Sequence, residues 1–231
     1  MIYDLIGNGF SMDTVINLLV RVFTVFCILP IHEYAHALTA VNLGDDTPRL
    51  QGRLSMNPLA HLDIFGSLMI LLCGFGYAKP VSINPRNFKN PKAGMALTAL
   101  AGPGSNILLS VIFAVLANCA NIWNANTGST FAWVTVFFCM YAALINISLA
   151  LFNLIPIPPL DGSRILNVVL PPKYYFGIMK YERYIMIGLF VLMVTGIFSR
   201  PFGALCNLVM TLIFRLVGIP FGSAAVTLTG V

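Results

Sequence analysis

Long apolar runs separated by short polar breaks organise the chain. The first run, Thr14 to Leu43, carries one charge, Arg21, ahead of a tight polar cluster, Ile31-His32-Glu33-Tyr34-Ala35-His36. A membrane crossing needs about 20 apolar residues, so this run is long enough to cross and tilt. Pro30 removes a helical hydrogen bond just ahead of the cluster, which predicts a kink or a loosened turn there. Residues Met1 to Phe10 are too short to span and read as interfacial. Gly44 to Asp63 is polar and turn-rich, and within it Arg49 to Met56 alternates with period two, which predicts a half-exposed strand or hairpin that Asn57-Pro58 stops. Ile64 to Ala78 is apolar and glycine-containing but too short to cross comfortably, so it reads as a re-entrant segment. A basic loop, Lys79 to Lys92, leads to a second span, Ala93 to Ala120, which holds Gly102-Pro103-Gly104-Ser105-Asn106. The third span, Phe131 to Ile155, ends in Pro156-Ile157-Pro158-Pro159-Leu160-Asp161-Gly162. An amphipathic stretch with Pro171-Pro172 precedes two further spans, near Tyr184 to Phe198 and Phe202 to Ile219.

Composition fits this pattern. The 231 residues are 58% hydrophobic and 9% charged, whereas a soluble globular chain is roughly 25% charged. The expected fold is therefore an all-α polytopic membrane protein: about five transmembrane helices, one re-entrant segment and a short strand or hairpin beside the site. Residues 1–231 read as one integral-membrane domain, with a core near 20–170 and accessory helices near 180–220. Asp4 and Asp13 replace the basic segment of a cleaved signal peptide. The net charge of +5 lies in loops beside membrane segments, which points to topology and lipid headgroups rather than nucleic acid. The five scattered cysteines form no metal or redox spacing and read as small buried apolar residues.

Charge also orders the spans. If Ile64 to Ala78 does not cross, then Arg49, Arg53, Lys79, Arg86, Lys89 and Lys92 share one side with Arg164, Lys173, Lys180 and Arg183. By the positive-inside rule that side is cytoplasmic, with the amino terminus outside and the carboxyl terminus inside.

The polar cluster carries the chemistry. Composition alone would produce a His-Glu-x-x-His string in about 3 of 10,000 such chains. On a helix it sets His32 and His36 on one face, where they can hold one zinc ion. Glu33 then stands beside the ion's open position, where it can take a proton from bound water. An exposed helix face is the plain alternative, but the surroundings are apolar, and ionisable groups at membrane depth are costly and functional. A catalytic zinc site needs a third protein ligand. Asp4 and Asp13 sit at the far end of the first span, Glu182 lies in a basic loop, and Asp45 and Asp46 read as a solvated cap. Asp161 ends an apolar span after a proline break, and in the five-span order it reaches the depth of the histidines. One Zn²⁺, two neutral histidines, Asp161 and Glu33 also sum to zero charge, which favours burial in lipid. A turn aspartate before glycine is the alternative for Asp161. Asn146 and Asn153, seven apart, share the face of the third span that runs toward Asp161, and Asn106 lies in the second span among the small residues Ala101, Gly102, Gly104 and Ser105, which let helices approach closely. All three read as helix ties, and Asn106 and Asn153 alternatively as donors to a substrate backbone or oxyanion. His61 reads as a gating residue, a support to the metal ligands, or a structural partner of Asp63.

These residues resemble the site-2 protease family of intramembrane zinc metalloproteases. The resemblance rests on His32-Glu33-x-x-His36, Gly102-Pro103-x-x-Asn106 and Asn153-x-x-Pro156-x-x-x-x-Asp161-Gly162, in that order across three spans. It covers about Val20 to Leu170 and is nearest to compact bacterial-type members; PDZ and CBS domains found in some relatives are not seen. It implies zinc on His32, His36 and Asp161, Glu33 as general base, and Asn106 and Asn153 facing the active site. It also implies hydrolysis of single-span membrane proteins in the bacterial plasma membrane, such as anti-sigma factors or membrane-held regulators. A non-proteolytic zinc protein, as transporter or inactive scaffold, is the competing class. A transporter would show inverted repeats, and an inactive relative would usually lack the glutamate.

Overall fold

A computed structural model describes residues 11–73, 78–170 and 172–226. The expected interfacial segment 1–10 lies outside them, as do residues 74–77 of the expected re-entrant piece. Every regular element among the described residues is helical.

The first apolar run forms one continuous helix, Met12–Asn42. Its first part, α1 (Met12–Phe23), is capped by the Ser11 hydroxyl, which accepts the Thr14 N–H at 3.2 Å. Pro30 has no N–H to offer the turn before it, and its ring crowds the carbonyl four residues back. The ladder answers with a π-turn, Thr24–Ile28, in which the Leu29 N–H reaches Thr24 C=O, five residues back. Beyond it α2 (Leu29–Asn42) carries the His-Glu cluster. The loosened turn expected from Pro30 is present.

The expected strand is not. Residues 49–56 form the end of a short helix, α3 (Thr47–Leu50), and an irregular return. Pro48 begins the helix, and Gly52, at φ +68°, ends it. The Arg53 N–H bonds Pro48 C=O at 2.8 Å, so these backbone groups are satisfied locally rather than by a ladder. Arg53 turns inward to Ala60 C=O, within α4 (Pro58–His61). The period-two pattern reflects this fold-back.

The next helix, α5 (Ile64–Cys73), starts at an Asp63 cap, whose carboxylate accepts the Gly66 N–H at 2.9 Å. At its other end the Arg21 guanidinium donates to Ile70 C=O at 3.1 Å and is held by Asn17 Oδ1 at 2.7 Å. A cation on terminal carbonyls both satisfies them and opposes the helix dipole. After residues 74–77, the Lys79 N–H bonds His61 C=O at 2.8 Å. Residues 61 and 79 therefore lie side by side.

Two long helices follow as a hairpin: α6 (Pro91–Thr127), capped by Asn90, and α7 (Thr130–Asn153), joined through Gly128 at φ +61°. At 37 residues α6 is about 55 Å long, more than a bilayer's apolar core of about 30 Å. Then come α8 (Asp161–Val169), α9 (Pro172–Met179), α10 (Glu182–Val194) and α11 (Ser199–Gly218). The core joins α1, α6, α7 and α11 around Ile16, Val20, Ala114, Ala117, Ala142, Ala143, Ile147 and Met210. Its alanines let backbones approach, as membrane bundles require. Large apolar residues face outward, among them Leu108 and Leu208.

Four helical stretches among the described residues are long and apolar enough to cross a membrane: Met12–Asn42, Pro91–Thr127, Thr130–Asn153 and Ser199–Ala224. Where hydropathy predicts a fifth span, Tyr184 to Phe198, α10 has 13 residues and ends at a turn with Gly196 at φ +75°. Glycine in that conformation breaks the helix before it reaches spanning length.

Candidate metal centre

Three helices meet at the polar cluster. On α2, His32 and His36 are one turn apart, with ring centroids 4.7 Å from each other in an edge-to-face arrangement. Both are buried. The third group, Asp161, is the first residue of α8, where the proline-rich break after α7 turns the chain inward. A helix amino terminus favours its negative charge. The following Gly162 is required because a Cβ there would stand 2.6 Å from the Leu154 carbonyl carbon. The third helix is α6, which lays Gly102 against both imidazoles.

The donor atoms form a nearly equilateral triangle. His36 Nε2 lies 3.1 Å from His32 Nε2 and 3.1 Å from Asp161 Oδ2, and His32 Nε2 lies 3.3 Å from Asp161 Oδ2. Tetrahedral zinc with bonds near 2.0–2.1 Å sets its ligand atoms about 3.3 Å apart. The three donors thus have the spacing of three corners of a zinc tetrahedron and would fit that ion. The opposite ring nitrogen of His36, Nδ1, donates to Thr98 C=O on α6 at 2.7 Å, which fixes the Nε2 lone pair toward the triangle. His32 Nδ1 is buried with no partner among the described residues.

Glu33 is buried beside this triangle, and its Oε2 accepts the Val81 N–H at 3.1 Å. That amide belongs to residues 78–84, which run without regular structure over α2. A backbone donor leaves no side-chain signature, so the sequence did not single out Val81.

The other expected residues divide. Asn106 is fully buried, with both amide atoms unpartnered among the described residues. It lies four residues beyond Gly102, hence on the same face of α6. Asn146 and Asn153 donate to carbonyls of their own helix, Ala142 and Leu149, at 2.9 Å each. His61 is buried but does not pair with Asp63, which is occupied as the α5 cap; its Nε2 bonds Ser55 C=O at 2.8 Å. Asp45 is no solvated cap. It is 0% exposed and accepts from Thr47, Asn84 and Asn87. Burial works against its charge, but hydrogen bonds from Thr47, Asn84 and Asn87 outweigh it and hold the carboxyl below its ordinary range. Asp46 is exposed, paired with Arg49 at 3.0 Å.

Comparison with known proteins agrees with the chemistry. The profile of peptidase family M50 matches residues 118–196. YwhC of Bacillus subtilis, a candidate zinc metalloprotease by name, is 39% identical over 187 residues, covering 80% of this chain and 85% of that protein. Rip2 of Mycolicibacterium smegmatis, also named as a candidate zinc metalloprotease, is 26% identical over 179 residues, 75% of this chain and 66% of its own. MJ0611 of Methanocaldococcus jannaschii, named likewise, is 31% identical over 105 residues, 45% of this chain and 50% of its own. No solved structure matches.

Proposed function

Since the chain belongs to peptidase family M50, the site-2 protease family, we propose that it is an intramembrane endopeptidase hydrolysing single-span membrane proteins. The observation that carries this reading is the triangle of His32, His36 and Asp161 donors, beside buried Glu33. His36 lies six residues before the end of α2, about 9 Å along the axis, so the centre sits toward one face of the bilayer. The basic loops follow on that face, which we assign to the cytoplasm, with the amino terminus outside, in a bacterial plasma membrane.

His32, His36 and Asp161 would hold one zinc ion. When bound, zinc supplies a Lewis acid for the scissile carbonyl and makes water a nucleophile near neutral pH. Glu33 has one carboxylate oxygen engaged by Val81 and keeps the other to take the proton of the attacking water and deliver it to the leaving amine. Asn106, its carbonyl and amide unpartnered among the described residues, is suited to hold the substrate backbone or the developing oxyanion. A helical substrate has its carbonyls occupied and must unwind before attack. Residues 78–84, with Ser82 exposed and its N–H making no bond among the described residues, offer an edge to the unwound segment. Membrane-held regulators such as anti-sigma factors are the substrate class that family resemblance implies.

The test joins elemental analysis to proteolysis. Detergent-purified protein is expected to hold one zinc per chain, to cut a single-span test substrate, and to stop when zinc is chelated. Folded protein that holds no zinc, or that cuts equally well after chelation, overturns the reading.

We also propose that residues 62–78 re-enter rather than cross. Cysteines placed at Leu62 and Ala78 are then labelled by an impermeant reagent from the same side. Labelling from opposite sides would refute it. Arg21→Met, which strips the cation from the end of α5, is expected to speed amide exchange in residues 64–73 at least tenfold. Charge-assisted hydrogen bonds are worth about 1.5–3 kcal/mol each.

A further inference from the structure

The Asp45 carboxylate is surrounded by donors. Its Oδ1 accepts the Thr47 N–H at 3.1 Å, the Thr47 hydroxyl at 2.5 Å and Asn87 Nδ2 at 2.7 Å, while Oδ2 accepts the Asn84 N–H at 2.7 Å. Two of these bonds close its own turn. The other two grip the loop that carries Val81.

The loop is held at two points by one element. Val81 is bonded to Glu33, and three residues on, Asn84 is bonded to Asp45. Gly44, at φ +106°, folds the chain back at the end of α2, so the Asp45 N–H bonds Ala40 C=O at 2.9 Å. Asp45 is therefore fixed to the last turn of α2. Only Ser82 and Ile83 separate the two held residues of the loop, and three residues reach at most about 10–11 Å when extended. A shift at Asn84 thus has few intervening torsions to absorb it before it reaches the Val81 N–H.

We propose that Asp45 is a positioning residue for the proton carrier: through Asn84 and Asn87 it sets where the Val81 N–H meets Glu33, and so orients the Glu33 carboxylate. This rests on the reading of Glu33 given above. Glutamate has several side-chain torsions, and misplacing a reacting group by about 1 Å can cost 10²-fold in rate. Asparagine cannot replace Asp45, because whichever oxygen becomes the amide would point N–H groups at donors.

The experiment compares Asp45→Asn with Asp46→Asn, the exposed neighbour. Amide exchange of residues 78–84, zinc content, kcat and KM are measured on purified full-length protein. Asp45→Asn is expected to speed exchange of this segment at least tenfold and to lower kcat at least tenfold, with KM within twofold and zinc unchanged. Asp46→Asn changes none of these. Unchanged exchange in a folded Asp45→Asn protein overturns the proposal, as does faster exchange with kcat intact. If Asp45→Asn fails to fold, Asn87→Ala removes one loop-side bond and spares the turn. It is then expected to raise exchange and lower kcat at least threefold, and unchanged values overturn the proposal. If the parent protein cuts nothing while Asp45→Asn still loosens the loop, the protease reading fails and the tether stands.

Discussion

Glu33→Gln is expected to keep zinc at parental stoichiometry and to lose at least about 10³-fold in cleavage rate, within the range that proton transfer contributes. The substitution is nearly isosteric. The glutamine amide retains an oxygen to accept the Val81 N–H, the bond that Glu33 makes at 3.1 Å, so the loop keeps its place. The donor triangle is made by His32, His36 and Asp161, and none of its edges uses Glu33. What disappears is a group that can gain and release a proton. Burying a neutral amide also costs less than burying a carboxylate, so thermal stability should not fall. Elemental analysis with single-turnover cleavage of a single-span substrate checks the result. Cleavage within tenfold of the parent would remove Glu33 from the role assigned to it. Asp161→Ala provides the contrast. It deletes one corner of the triangle and its negative charge, so zinc and cleavage fall together.

Much of this centre was legible because its signals are side chains at helical spacing. His32 and His36 at four residues apart share a face wherever the segment is helical, and an apolar run of that length has few alternatives to a helix. Asp161 was reachable because the proline-rich break before it stops α7 and restarts the chain as α8. Pro30 announced the π-turn, since a missing N–H must be accommodated somewhere in the ladder. The failures share a different cause. Arg49 to Met56 has strand periodicity, but a strand needs a neighbour to pair with, and Pro48 and Gly52 close a helical turn first. Asp45 looked solvated because its burial comes from Asn84 and Asn87, some forty residues away in sequence. The Val81 donor is backbone and the Thr98 acceptor is backbone, so neither residue type hints at its use. The fifth span stands apart from these: α10 has the composition of one, and its 13 residues end ahead of a turn at Gly196.

Gly102 was half legible: small residues in a span imply close approach, but not to what. In the structure it faces the imidazoles themselves. A Cβ at Gly102 would lie 2.6 Å from His32 Nε2 and from His32 Cε1, and nearer still to His36 Nε2. Side-chain carbons do not approach that closely, so the rings or α6 must move. The rings have little room, because His36 is tied through Nδ1 to Thr98 C=O on the same helix at 2.7 Å. Zinc–ligand distances keep within about 0.2 Å of their usual values, and loss of a group that merely orients a ligand already costs about 10–100-fold in affinity. Gly102→Ala is therefore expected to weaken zinc binding at least 100-fold and to reduce cleavage by a similar factor at limiting zinc. The matched control is Gly104→Ala, two residues along the same helix, where a Cβ meets nothing within 4 Å. There alanine gains helix propensity of about 1 kcal/mol, so zinc binding is unchanged and stability is equal or higher. Competition of each purified variant against a zinc chelator of known affinity reads the difference directly. If Gly102→Ala binds zinc within threefold of the parent, the ion does not sit between these two imidazoles.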